Sequence, residues 1–124
     1  MVETQPPETR VHELSIASAL LDQLEDELAK RPGARFTKVG LKIGDLAGVD
    51  KDSLTFGFGA LVKDSHWDPL DLEIETIKRR QRCPACSQEF EAEHWSTECK
   101  ICGNPATITI AGEELQIAYI EVDE

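Results

Sequence analysis

The sequence of 124 residues predicts an α+β fold, in which a small cysteine-rich domain is inserted into a mixed α/β domain. Apolar residues near the N-terminus recur at steps of three and four, as in an amphipathic helix. In several later segments they alternate with polar residues, as in strands. Strand-like segments also flank the cysteines on both sides. The order of helix, strand, helix, strand, cysteines and further strands indicates that the last strand returns to the first sheet.

The first predicted element is an amphipathic helix over residues 12–30. Its apolar residues form one stripe: Leu14, Ala17, Leu21, Leu24 and Leu28. The segment Arg31-Pro32-Gly33 ends the helix, because proline and glycine are poor helix formers. Residues 1–10 contain two prolines and little that could be buried, so they are predicted to be a disordered tail.

The strands are predicted where apolar and polar residues alternate: residues 36–43, 70–77, 106–110 and 115–122. In the first strand, Val39, Leu41 and Ile43 share the face that should be buried. A second helix is predicted from Asp50 onward, with an apolar side of Leu54, Phe58, Leu61 and Val62. Its glycines, Gly57 and Gly59, lower its helical propensity.

The elements divide the chain into two predicted domains. Residues 11–78 and 111–124 form the α/β domain, and residues 79–110 form the inserted one. The region between the cysteine pairs is too short to bury much on its own, so a metal is expected to hold it together.

Two cysteine pairs, Cys83-Pro-Ala-Cys86 and Cys99-Lys-Ile-Cys102, lie twelve residues apart and predict a zinc site. Zinc prefers four tetrahedral ligands, and two thiolates separated by two residues can share one ion on a tight turn. Disulfides are the alternative, but they need a secretory route, and the N-terminus has no apolar signal core. An iron site of the rubredoxin kind uses similar knuckles, and spacing does not distinguish it. Four thiolates fill the coordination sphere, so the metal is predicted to be structural.

The net charge of −11 argues against general affinity for nucleic acid, which depends on neutralising phosphates. The segment Lys78-Arg79-Arg80-Gln81-Arg82 is a local exception. We interpret it as a solvated basic strand end beside acidic residues, with a contact to RNA or an acidic partner as the alternative. No apolar run is long enough to cross a bilayer, so we expect no membrane partner. Cysteines kept as thiolates fit a reducing compartment such as the cytoplasm.

A second candidate metal site is the pair His12-Glu13. Imidazole, backbone amide nitrogens and a carboxylate in a small volume suit Ni(II) or Cu(II). Such a pair is more often an ordinary surface feature of a helix start, so the chemistry alone is a weak signal. His66 and His94 have no supporting motif, and His94 is predicted to be a surface residue.

Three separated stretches, "HELSIASALLDQLEDE", "VGLKIGDLAGVDKDSLTFGF" and "CPAC" with "CKICGNP", occur in an order similar to that of a known family. The chain resembles the HypA/HybF family of hydrogenase-maturation nickel metallochaperones from about Val11 to the C-terminus. The resemblance implies a protein that is not an enzyme and that consists of a nickel-binding α/β domain and a zinc domain. It also implies delivery of nickel to the [NiFe]-hydrogenase large subunit together with a HypB-type GTPase.

The resemblance assigns the zinc to Cys83, Cys86, Cys99 and Cys102. It assigns the nickel first to His12, with Glu13 and Asp50 as further candidate ligands. Asp50 is also expected to cap the second helix by accepting a hydrogen bond from the amide of Asp52 or Ser53. Glu13 could instead complement the positive end of the first helix dipole. The sequence leaves the nickel enzyme that is served, the partner surface and the choice between monomer and homodimer open.

The chain departs from the family pattern at its start. Family members usually begin Met-His-Glu, so that the free amine, the next amide and the imidazole chelate nickel together. Here ten residues precede Val11. Because valine and a bacterial start share the codon GTG, we hypothesise that the natural chain begins at position 11 as Met-His-Glu-Leu.

Two other functions compete with nickel delivery. A zinc-ribbon adaptor that binds polyanions through residues 78–82 would lose affinity steeply with salt, but it leaves His12-Glu13 without a role. An enzyme would need a nucleophile-base pair, a phosphate loop or an open catalytic metal site, and the sequence shows none of them.

Overall fold

The structure is a computed structural model that describes residues 7–92 and 96–123. In this part of the chain two α-helices and six strands follow one another: α1 (Pro7–Ala29), β1 (Arg35–Gly44), α2 (Lys51–Val62), β2 (Asp71–Ile77), β3 (Arg80–Arg82), β4 (Glu89–Glu91), β5 (Ile108–Ala111) and β6 (Leu115–Asp123). A short 3-10 turn, Asp45–Ala47, follows β1. The predicted α+β class is confirmed. Neither helix of the described ranges is both long and apolar enough to span a bilayer.

Helix α1 begins at Pro7, ahead of the predicted start at His12. Proline fits the first helical position because that residue's amide would have no partner within the helix. Residues 7–10, which we predicted to be disordered, therefore have a helical backbone. The rest of the predicted tail, residues 1–6, lies outside the described residues.

The buried face of α1 differs from the predicted stripe. Ala17 and Leu24 are buried as expected, but Leu14 is 47% exposed and Leu20 is buried where Leu21 was predicted. Glu13 is 0% exposed and continues the same buried face one turn earlier. The prediction counted apolar residues alone, so it could not place a carboxylate on the inner face.

Strand β1 lies at the centre of a three-stranded sheet with the order β2-β1-β6. Val39, Leu41 and Ile43 are buried, which confirms the predicted inner face. A side chain at Gly40 would overlap the ring of Tyr119 from β6. The hydroxyl of Tyr119 donates a hydrogen bond to Glu73 of β2. One aromatic residue thus crosses the glycine of the central strand and joins the two outer strands.

Helix α2 begins after Asp50, whose Oδ1 accepts a hydrogen bond of 2.9 Å from the amide of Ser53. The predicted capping role of Asp50 is confirmed. Leu54, Phe58 and Val62 are buried, whereas Leu61 is 38% exposed. Gly57 is also buried, and a Cβ there would lie 3.4 Å from Cδ1 of Leu14 on α1.

A second three-stranded sheet has the order β4-β3-β5. Gln81 of β3 pairs antiparallel with Phe90 of β4 and with Thr109 of β5. Strands β3 and β4 have three residues each and were not predicted, because so short a segment shows no clear alternation.

The chain divides into two compact units. One comprises the chain up to Leu41 together with Val49–Ile74 and the residues from Ile117 onward. The other comprises Lys42–Gly48 and Glu75–Gln116, and it contains all of the cysteines. That residues 79–110 form a separate inserted domain remains a prediction.

Candidate metal centre

The four cysteines converge on one point. Sγ of Cys83 lies 3.6 Å from that of Cys102, and Sγ of Cys86 lies 3.7 Å from that of Cys99. All four sulfur atoms lie within 4.8 Å of one another. Sulfur atoms about 2.3 Å from a tetrahedral zinc ion are about 3.8 Å apart. The thiols are free rather than joined as disulfides, and their spacing fits a single tetrahedral ion.

The two cysteine pairs have the same backbone geometry. In each, the amide of the first cysteine donates to the carbonyl five residues on, and the amide four residues on donates back to that cysteine's carbonyl. The distances are 2.9 and 2.7 Å around Cys83, and 2.8 and 3.0 Å around Cys99. The fourth residue after each first cysteine is left-handed, with φ of 66° at Ser87 and 80° at Gly103. Two equivalent knuckles therefore face each other across the sulfur cluster.

Amide groups of the knuckles point at the sulfur atoms. The amide of Cys86 donates to Sγ of Cys83 at 3.5 Å, and that of Cys102 donates to Sγ of Cys99 at 3.3 Å. Hydrogen bonds of this kind, the one from Cys86 first, lower the pKa of Cys83 to about 6. The pKa of Cys102 is lowered by the amide of Asn104, but its sulfur neighbours, Cys83 first, and burial raise it to about 12. Amide hydrogen bonds, the one from Cys102 first, also lower the pKa of Cys99, so the knuckles favour negative charge at Cys83 and Cys99. A divalent cation would displace the protons held by Cys86 and Cys102, whose pKa values are raised.

Two polar side chains of the cysteine-containing unit are buried and hydrogen-bonded. Arg79 is 6% exposed, and its guanidinium donates to the carbonyl of Ser96 at 2.9 Å. The Gln81 side chain is 1% exposed; its amide donates to Oγ1 of Thr107 at 2.9 Å and it accepts from Oγ1 of Thr109 at 2.6 Å. The Gln81 bonds connect β3 with β5 and with the residue before β5, and the Arg79 bond connects the residue before β3 with the segment that precedes the second knuckle.

This arrangement corrects part of our interpretation of residues 78–82. Lys78 and Arg80 lie near Glu91 and Glu89, at 3.9 and 3.8 Å, as a solvated strand end would. Arg79 is instead a buried structural residue. The sequence alone could not show this, because the carbonyl that receives Arg79 lies far along the chain.

The residues assigned to nickel are only partly brought together. Glu13 is buried, and its Oε2 accepts a hydrogen bond of 2.7 Å from the amide of Asp50. His12 is exposed, because consecutive helical residues point about 100° apart. Among the residues that the structure describes, the cysteines form the one group of three or more candidate ligands that could hold a metal ion. His12, Glu13 and Asp50 therefore do not form a second such group, and His94 lies outside the described residues.

Glu13 caps the start of the second helix, α2, rather than the start of α1, the helix that carries it. Its carboxylate meets the amide that precedes α2, while Asp50 itself caps the amide of Ser53. In a capping box, a glutamate three residues after the cap bonds back to the cap amide. Ser53 occupies that position here, and Glu13 of α1 takes the place of the missing glutamate. Its other oxygen, Oε1, is buried without a hydrogen-bond partner in the described structure.

Comparison with known proteins gives a consistent result. A family model described as hydrogenase/urease nickel incorporation, metallochaperone, HypA, matches residues 11–122. A hydrogenase maturation factor HypA of Caldanaerobacter subterraneus is 32% identical over 114 residues, which are 91% of this chain and 100% of that protein. Another, from Geotalea uraniireducens, is 34% identical over 113 residues with the same coverage.

Solved structures share the fold. The solution structure of the Ni metallochaperone HypA from Helicobacter pylori matches with a TM-score of 0.61 and 23% identity, over 88% of this chain and 95% of that one. A second solution structure of a HypA protein has a TM-score of 0.67 and 24% identity, over 90% and 95%.

Proposed function

Because the chain belongs to the HypA family of nickel-incorporation metallochaperones, carriers in hydrogenase maturation rather than enzymes, we propose that it binds and delivers Ni(II). The nickel is released to the large subunit of a [NiFe]-hydrogenase, with a HypB-type GTPase as the working partner. A separate zinc ion keeps the cysteine-containing unit folded. The observation that carries this proposal is the family match, which begins one residue before His12 and continues to residue 122.

Zinc is the metal proposed for the four cysteines. The Sγ distances of 3.6 and 3.7 Å support one tetrahedral ion, and two matching knuckles supply its ligands. A closed set of thiolates gives tight binding but no open position for chemistry. Free thiolate ligands also require a reducing compartment, for which we propose the cytoplasm.

His12 is the proposed first nickel ligand. Its imidazole is exposed on α1, so a metal bound there would be accessible to a receiving protein. Nitrogen and oxygen ligands suit nickel, whereas the thiolates suit zinc, and this difference keeps the two metals apart. Glu13 and Asp50 are the proposed oxygen ligands. Each carboxylate accepts a backbone amide with one of its oxygens, and Oε1 of Glu13 has no hydrogen bond that it would have to exchange in order to coordinate the ion.

The structure gives less support than the sequence did to the alternative that residues 78–82 bind a polyanion. Arg79 is buried, and Lys78 and Arg80 have acidic neighbours. Of the cations that could have bound RNA, Lys78 and Arg80 therefore already lie near carboxylates, and Arg79 is not accessible to a ligand.

A nickel titration of zinc-loaded protein by calorimetry tests the proposal. The chains to compare are the full one, a form that begins with methionine at position 11, and that short form carrying His12→Ala. We expect the short form to bind a single nickel ion and His12→Ala to abolish binding. The exposed His66 is the matched control, since it pairs with Glu25 at 3.1 Å and has no proposed metal role.

The outcomes separate the parts of the proposal. Weaker binding by the full chain means that a free amine beside His12 contributes a ligand. Equal binding by both forms means that it does not. Nickel binding that survives His12→Ala contradicts the assigned site, and no binding by any form contradicts the nickel function.

Delivery itself needs a second measurement. Nickel-loaded protein is mixed with metal-free hydrogenase large subunit, with and without the GTPase, and the nickel content of the subunit is measured. We expect nickel transfer from the chain that retains His12 and none from the His12→Ala variant. Transfer at the same rate from free nickel would contradict a carrier role.

A further inference from the structure

The sheet of the cysteine-containing unit has one buried and one exposed face. Gln81 of β3 lies opposite Phe90 and Thr109; Gln81 and Phe90 are buried, and Thr109 donates a hydrogen bond to Gln81. Because side chains alternate along a strand, the neighbours of these three residues lie on the other face. This outer face consists of Glu89 and Glu91 on β4, Arg80 and Arg82 on β3, and Ile108 and Ile110 on β5. It therefore carries an acidic, a basic and an apolar column, one on each strand.

The two edge strands of this sheet differ in their chemistry. At one edge, β4 presents Glu89 and Glu91, and charged side chains discourage pairing with a further strand. At the other edge, β5 has the sequence Ile-Thr-Ile-Ala, without a charged residue. Its two isoleucines, Ile108 and Ile110, are 46% and 41% exposed. Of the two edges, β5 is thus the one to which a further strand can be added.

Arg82 adds a charge beside this apolar edge. It is exposed and lies opposite Ile108 in the register of β3 and β5. Glu89 is opposite Arg82 on β4, but its carboxylate lies near Arg80 instead, at 3.8 Å. In the described part of the chain, Arg82 is therefore the exposed cation of residues 78–82 without an ion pair. A strand added at β5 would lie two strand spacings, about 10 Å, from β3, which an arginine and a glutamate side chain can bridge together.

We propose that β5 and Arg82 form a docking site for an extended, acidic segment of a partner protein, which adds a fourth strand to this sheet. Main-chain hydrogen bonds to β5 supply affinity, and the outer face selects the side chains. An acidic residue of the segment meets Arg82, and an apolar residue two positions away packs against Ile110.

Charge favours such a segment over the other possible occupants. A nucleic acid would have to approach a chain of net charge −11 through a single unpaired cation. A second copy of the chain, joined through its own β5, would offer isoleucines but no carboxylate on that strand for Arg82. A segment with both an acidic and an apolar residue matches the two kinds of side chain present.

A labelled synthetic heptapeptide and the zinc-loaded full chain test the proposal. The peptide has a central glutamate, a valine two positions to either side of it and threonine elsewhere, so that both strand directions present the same residues. Fluorescence anisotropy measures the Kd. We expect saturable binding that Ile108→Lys and Ile110→Lys each weaken at least about fivefold, because a charge then lies on the edge.

Ile101→Lys is the matched control for these substitutions. Ile101 is 58% exposed but lies in the second knuckle, outside β5, so binding should be unchanged. Circular dichroism and zinc content check that each variant is folded. In nuclear magnetic resonance spectra, the amides of residues 107–111 should shift more on binding than those of β4.

Charge reversal gives a second readout. A peptide with a central lysine should bind the parent chain at least about fivefold more weakly than the glutamate peptide, and Arg82→Glu should reverse this preference. Equal binding of the two peptides by the parent chain contradicts the role of Arg82 without any variant.

The remaining outcomes decide whether the site exists. The proposal is overturned if the parent chain shows no saturable peptide binding, or if binding survives both Ile108→Lys and Ile110→Lys. Binding of polyuridine RNA through Arg82, with no binding of the peptide, would assign the face to nucleic acid and also overturn it. Nickel takes no part in the assay, so none of these outcomes bears on the proposed nickel function.

Discussion

At the scale of single residues, Glu13 shows how one side chain can join two helices. It is fully buried in α1, yet its carboxylate bonds to the amide at the start of α2. The positive end of the α2 dipole stabilises the negative charge there. Glu13 therefore joins the turn of α1 that carries the neighbouring His12 to Asp50.

Replacing Glu13 with alanine tests this role. The change leaves the amide of Asp50 without its partner, and we expect the free energy of unfolding to fall by about 1–3 kcal/mol. Urea denaturation measures the free energy of unfolding. The control is Asp26→Ala, at an exposed position of the same helix. Equal effects of the two substitutions would contradict a specific capping role for Glu13.

Tyr119 provides a pH-dependent prediction. Its hydrogen bond to Glu73, followed by burial and nearby carboxylates, raises the pKa of the phenol from 10.0 to about 12. The folded state thus holds this proton more tightly than the unfolded chain does. The resulting stabilisation is fully present below pH 10 and is lost as the pH rises through about 12.

The chain has a single tyrosine, so tyrosinate absorbance reports on Tyr119 alone. In Glu73→Gln we expect the pKa to return toward 10.0. Glu75→Gln, an exposed position of the same strand, is the control and should change little. An unchanged titration in Glu73→Gln would show that the hydrogen bond is not the cause.

At the scale of elements, the two knuckles have the same left-handed backbone conformation at two different residue types, a serine and a glycine. Ser87 and Gly103 both have positive φ, and only glycine adopts this conformation without strain. A Cβ at Gly103 would meet no atom, so backbone strain would be the sole cost of a side chain there.

We expect Gly103→Ala to weaken zinc retention by about 1–2 kcal/mol, because its backbone is held in the left-handed region. Ser87→Gly should retain zinc at least as well as the parent chain. Competition with a chromophoric chelator measures both. Gly33→Ala, also at positive φ but in the other unit, should not affect zinc retention, and an equal loss there would contradict a local effect.

At the scale of the whole molecule, the two units differ in what holds them together. The unit with the helices has an apolar core that includes Leu24, Val39 and Phe58. The small core of the other consists largely of cysteines that we propose as zinc ligands: Cys83 and Cys99 are buried with Phe90, and Cys86 and Ala92 pack against them. Without metal, this core has few apolar groups left.

Removal of zinc by a chelator should therefore act on one unit. We expect amide hydrogens between Glu75 and Gln116 to exchange faster, because the proposed zinc ion would supply most of the folding free energy of that unit. The amides of α2 should keep their protection. Hydrogen exchange read by mass spectrometry makes the comparison, and uniform loss of protection would contradict separate stabilisation of the units.

Several features were predictable because their signals are local. The spacing of Cys83, Cys86, Cys99 and Cys102 predicts a tetrathiolate cluster, and the sulfur atoms do converge. Alternation identified the buried face of β1, and the position of Asp50 before an apolar run identified a helix cap. The short strands β3 and β4 were not predicted, because three residues are too few to show an alternation of apolar and polar residues.

The sequence by itself determined the fold class, the cysteine cluster and the family, since each rests on residue types at short fixed spacings. The tertiary structure alone decided which face of α1 is buried, the burial of Arg79 and Gln81, and the bond from Glu13 to Asp50. Whether a polar group is buried depends on a partner distant in the chain, since burial is favourable only where a hydrogen bond replaces water. Local periodicity describes one element at a time and carries no information about what packs against it.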